Sequence, residues 1–128
     1  MDRGFIYINN SNLINNLNFL KVTTKKELCL VVKANAYGHG LEWAVKNAKK
    51  FGVKWFAVAS VDEGIQVKKV FGESRVLLLA EPSKTQLENV CKLQLNLMMM
   101  FEFFPLIYQN FLVHILCDAC LYQLLSEH

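Results

Sequence analysis

The chain has 128 residues, enough for one modest domain with a core of its own. Its net charge is only +3, and its 14 Lys and Arg residues are scattered, which excludes the basic stripe that a nucleic-acid surface needs. Its 53% apolar content and mean hydropathy of +0.22 are high for a soluble domain.

The N-terminus lacks a charged segment followed by an apolar one, so no secretory signal is expected. Cys29, Cys91, Cys117 and Cys120 are too irregularly spaced for a disulfide framework, and a reducing cytoplasm is the simplest setting. Gly4 to Asn9 reads as a short strand, with Phe5, Ile6, Tyr7 and Ile8 supplying β-branched and aromatic side chains. Ser11 is placed to cap a helix in which Leu13, Ile14, Leu17 and Leu20 recur at three- and four-residue spacing. Val22 to Glu27 reads as a polar connection.

Leu28 to Val32 is a continuous apolar run, the pattern of a strand buried on both faces in a parallel sheet. A helix is predicted from Leu41 to Phe51, with Leu41, Ala44, Val45 and Ala48 on its apolar face and Lys46, Asn47, Lys49 and Lys50 largely outside it. Gly52 stands where that helix should stop. Trp55 to Ala59 is the next buried strand. Ser60 and Glu63 form a capping-box pair opening a helix with Ile65, Val67, Val70 and Phe71 as its apolar residues, stopped by Gly72. Arg75 to Leu79 is a third buried strand, and Leu87, Val90, Cys91 and Leu95 mark a fourth helix. Strands alternating with helices across short connections predict successive βα units and a parallel sheet.

After about Leu97 the pattern changes. No glycine follows Gly72, and no lysine or arginine follows Lys92. The domain division is therefore 1–97 and an apolar, helical tail over 98–128. Glu102, Pro105, Gln109, Asn110 and His114 interrupt the run from Leu97 to Cys117 and argue against a membrane span. His114, Cys117 and Cys120, with or without His128, amount to a single Cys-x-x-Cys in a greasy segment, and no metal site is expected.

The chemistry concentrates at Lys33. It stands where the first buried strand ends, the edge at which α/β folds present their reactive groups, and an amine at the rim of an apolar core suits a nucleophile that attacks carbonyls. From Val31 to Gly40 the sequence reads Val-Val-Lys-Ala-Asn-Ala-Tyr-Gly-His-Gly. This run resembles the pyridoxal-phosphate attachment motif of the alanine racemase family, and the resemblance covers approximately residues 5 to 95. A lone lysine at a strand end would be read as a snorkelling side chain; ten consecutive agreeing positions outweigh that.

The resemblance implies the N-terminal portion of a pyridoxal-phosphate-binding (β/α)8 TIM barrel. Three buried βα units cannot close such a barrel, and the change after Leu97 is expected to mark a truncated or frame-shifted chain. It further implies an isomerase that interconverts L- and D-alanine and supplies D-alanine for the cell wall. Lys33 would hold the cofactor and exchange the substrate α-proton, and Tyr37 would contact the cofactor phosphate. Val31 and Leu79 are weaker carry-overs to the cofactor site, and both also suit plain barrel core. His39 reads as part of the turn and not as an acid–base group. The family's opposing base is a tyrosine supplied by a partner subunit, so a homodimer is expected of the complete protein and activity of this chain alone is doubtful. Two alternatives remain: a non-catalytic pyridoxal-phosphate binder like the related homeostasis proteins, and a membrane or partner-binding protein led by the tail.

Overall fold

In a computed structural model the described residues are Gly4 and 6–97, and the tail over 98–128 with its membrane and metal candidates lies outside them. Helix α1 (Asn10–Thr24) precedes strand β1 (Cys29–Val31). Then follow α2 (Leu41–Phe51), β2 (Trp55–Val58), α3 (Val61–Val70), β3 (Arg75–Leu78), α4 (Leu87–Lys92) and β4 (Asn96–Leu97). The four strands form one sheet in chain order, parallel throughout. In register, Leu30 lies opposite Phe56, and Phe56 opposite Val76.

Alternation along the strands sorts their side chains between two faces. Leu30, Val32, Phe56, Val58, Val76 and Leu78 form one cluster with apolar residues of all four helices, among them Leu17, Val45, Val67 and Val90. Cys29, Val31, Ala57 and Leu77 form a second cluster on the opposite face, with Tyr37, Trp55 and Leu79 packed against it. A sheet whose strands follow chain order, with every helix on one face, is a segment of barrel wall; a doubly wound sheet would reverse its order and use both faces. The helix-free face is then the inner one.

The parallel strands stand within a residue of the expected positions, and α2 has the expected bounds, closed by Gly52 at φ 102°. Several expectations are corrected. Residues 6–9 are not a strand: they pair with no described strand, and Ile6 and Tyr7 are 82% and 94% exposed. β-branched composition without a ladder partner leaves backbone groups to water. The α1 cap is Asn9 rather than Ser11, its Oδ1 accepting from the N–H groups of Ser11 at 2.8 Å and Asn12 at 3.4 Å. α1 also runs to Thr24, through the start of the expected connection. Asn47 is buried in α2 because its Nδ2 donates to the Trp43 carbonyl at 2.9 Å, which satisfies the amide inside the helix. Leu95 is outside α4, since Gln94 takes φ 50° and turns the chain into β4, a strand that the sequence did not suggest. Leu95 packs onto α3, where a Cβ on Gly64 would stand 3.0 Å from its Cδ1. Among the described residues no helix is long and apolar enough to cross a membrane, and no three metal-binding side chains cluster.

Burial of β1 makes a chemical prediction. The Cys29 thiol is pushed up to about 12 from its ordinary 9.0 by desolvation, whereas Cys91 is exposed. Iodoacetamide at about pH 8 is therefore expected to alkylate Cys91 well before Cys29, as peptide mapping would read. Because the folded thiol holds its proton where the unfolded one has lost it, stability should fall as pH rises above 9.0. Equal alkylation of the two cysteines would mean that β1 is not a buried strand.

Candidate active site

Beyond Val31 the ladder continues for one bond, Val32 N–H to the Ala57 carbonyl at 2.9 Å, and then the chain leaves the sheet at Lys33. Residues Lys33–Tyr37 make a single helical turn of the wrong hand. Ala34, Asn35, Ala36 and Tyr37 have φ of 50°, 56°, 52° and 54°, and Gly38 follows at 86°. The left-handed region costs an L-residue about 1–2 kcal/mol, with only glycine, and sometimes Asn, visiting it readily. Such a turn survives only where its surroundings over-determine it.

Here they do. Ala36 N–H donates to the Val32 carbonyl at 2.9 Å, Gly38 N–H to Ala34 at 3.1 Å and Gly40 N–H to Asn35 at 2.9 Å. The Asn35 side chain caps the next helix, its Oδ1 accepting from Leu41 N–H at 2.8 Å. His39 stays within the turn, with Nδ1 2.9 Å from the Ala36 carbonyl oxygen, as expected of a turn residue. Glu63 reaches across from α3, its Oε1 accepting the Ala34 N–H at 2.7 Å.

The turn delivers Lys33 half-buried at the C-terminal end of the sheet, with Nζ 5.9 Å from the Tyr37 ring centroid. Val31, Tyr37 and Leu79 meet in the inner-face cluster, although they come from a strand, a turn and a second strand end. A cleft of about 220 Å³ lies on the other flank of the turn, lined by Leu13, Leu30, Ala36 and Ala44 of the helix-side cluster together with Val31 and Tyr37, and Lys33 is not among its lining residues. An amine, a phenol and an apolar floor on one edge of a parallel sheet suit a flat, anionic aldehyde. The Ser60–Glu63 spacing predicts only a helix-capping role for Glu63, and no local pattern predicts the left-handed turn. The one available signal was that a capping-box carboxylate has a second oxygen to give.

The chain matches the family model described as "Alanine racemase, N-terminal domain" over residues 8–100. It is 39% identical over 97 residues to an amino-acid racemase of Enterococcus faecalis, covering 74% of this chain and 14% of that protein. With an alanine racemase of Borreliella burgdorferi it shares 31% identity over 91 residues, or 70% of this chain and 24% of the relative. Among solved structures, the alanine racemase of Clostridium difficile 630 in complex with cycloserine superimposes with a TM-score of 0.67 at 32% identity, over 72% of this chain and 25% of that one. The chain thus spans a quarter or less of the length of these proteins.

Proposed function

The chain belongs to the alanine racemase N-terminal domain family, and on that premise we propose that it carries the lysine-bearing part of a pyridoxal-phosphate-dependent amino-acid racemase acting on alanine. The observation behind this is the placement of Lys33, an amine lifted off the end of a buried strand by a turn of defined hand. The residues present fit one end of the cofactor: a primary amine for its aldehyde, the Tyr37 phenol for a phosphate oxygen and the inner-face cluster for its ring. Pyridoxal phosphate, when bound, supplies the aldehyde and the electron sink that makes an amino-acid α-proton removable.

The chain's own residues bind, orient and move a proton. Lys33 Nζ would hold the aldehyde end of the cofactor, and its amine would serve as one of two bases on opposite faces of the substrate α-carbon, removing or delivering the α-proton on its own face while a second base acts on the other. Tyr37 donates its hydroxyl proton in a charge-assisted hydrogen bond. Val31, Ala57 and Leu77 keep water from the floor of the site. The setting we propose is the reducing cytoplasm, in line with free thiols at Cys29 and Cys91. The partner that completes the site is a second copy of the full-length protein.

Lys33→Arg tests this. A guanidinium stays protonated and cannot add to an aldehyde, so borohydride fixation of pyridoxal phosphate is expected to drop to the level set by exposed lysines such as Lys46 and Lys54. Incorporation that Lys33→Arg leaves unchanged would overturn the assignment. Tyr37→Phe is expected to weaken retention of pyridoxal phosphate by about 1–3 kcal/mol while leaving that of pyridoxal, which lacks the phosphate, unaffected. Equal weakening of both would remove the phosphate contact from Tyr37.

A further inference from the structure

Glu63 makes more bonds than a helix cap requires. As the third residue of α3 it closes a capping box with Ser60: its N–H donates to Ser60 Oγ at 3.2 Å, and its Oε2 accepts the Ser60 N–H at 3.2 Å. The same Oε2 also accepts the Ala59 N–H at 2.8 Å. All of the carboxylate's cap bonds thus fall on one oxygen. Oε1 is directed to a different element, the N–H of Ala34, at 2.7 Å and 29 residues away in sequence.

Ala34 is the first left-handed residue after the lysine. Its N–H lies at the start of the turn, where no carbonyl of the preceding turn can serve it, as at any helix start. A carboxylate at the start of α3 is suited to the place, because the helix dipole favours negative charge there. A charge-assisted bond is about twice as strong as a neutral one, and it acts where the chain abandons the sheet for backbone angles that alanine resists.

We propose that Glu63 is a positioning residue for Lys33: its Oε1 ties the Ala34 N–H to the β2–α3 connection, holds residues 34–37 in the left-handed turn, and so fixes where the lysine amine stands over the inner face. Glu63 touches neither the lysine amine nor any reacting atom. The consequence for cofactor capture rests on the function proposed for Lys33, whereas the strap itself does not.

Glu63→Gln separates the two duties of the side chain. A capping box accepts Gln as well as Glu, but a single amide oxygen cannot serve the Ala59 and Ser60 N–H groups and the Ala34 N–H together, and the amide nitrogen accepts nothing. In the 128-residue chain carrying Glu63→Gln, the Ala34 amide should exchange with solvent faster by about tenfold or more, and its proton resonance should move upfield. Amides of the sheet, such as those of Phe56 and Val76, should keep their wild-type rates. The rate at which acetic anhydride modifies Lys33, relative to exposed Lys46, should change severalfold, and Glu63→Asp should fail to restore it, being one methylene too short to span both elements.

Unchanged Ala34 exchange would reduce Glu63 to a helix cap. Sheet amides that accelerate as much as Ala34 would make its role one of general stability, and altered Ala34 exchange with an unaltered Lys33 rate would remove the positioning role. If wild-type Lys33 captures no pyridoxal phosphate, the proposed function fails, yet the exchange and acetylation experiments still decide the strap.

Discussion

Truncation of Phe56 to alanine is expected to lower the unfolding free energy by about 3–5 kcal/mol, measured as a fall in the urea midpoint without a change in slope. Phe56 is completely buried on β2, between β1 and β3, and its ring meets Phe71 edge-on at 82° with centroids 6.3 Å apart. No other described aromatic side chain is as deeply placed in the cluster that joins the sheet to its helices. The loss combines transfer of the ring with the cavity left behind, because neighbours held by the two flanking strands and by α3 relax little. For a domain whose total stability is about 5–15 kcal/mol, that is a large share. A loss below about 1 kcal/mol would mean that the helices do not pack on this face as described.

The second large effect concerns the turn. Ala36 is 6% exposed and sits at φ 52°. Ala36→Val adds a β-branched side chain at a buried position where even alanine is strained. The expected loss is about 2–4 kcal/mol, together with loss of any special reactivity at Lys33. The opposite substitution should reverse the sign. Ala34 is exposed, and Ala34→Gly relieves left-handed strain there while adding unfolded-state entropy, for a net gain of about 0.5–1 kcal/mol. Destabilisation by both substitutions would contradict a left-handed turn.

Much of the fold was legible because local and tertiary preferences agree. Three apolar runs became three parallel strands, the Ser60–Glu63 spacing became a capping box, and Gly52 ended α2. The failures fall where non-local partners decide. Residues 6–9 have strand composition without a described strand to pair with. Asn47 is polar, yet it is buried because the helix backbone satisfies it. Leu95 continues the helical spacing of α4, but the chain has already turned at Gln94 to reach β3.

The candidate site could be proposed from composition, but its conformation could not be read. Lys33 and Tyr37 could be singled out from the motif, and Val31 and Leu79 with less force, but four consecutive left-handed residues run against every local propensity of Ala and Tyr. The stabilising partner of that turn, Glu63, lies 29 residues from Ala34, beyond the reach of any local rule.

On the function proposed above, folding and not sequence alone makes Lys33 the amine that captures pyridoxal phosphate. This can be measured by treating the chain with a limiting amount of the cofactor and then borohydride, once in buffer and once in concentrated urea, and mapping the modified peptides. In buffer the adduct should concentrate on Lys33; in urea it should spread over the lysines without preference. The same even distribution in both conditions, or concentration on Lys46 or Lys54 in the folded chain, would contradict it.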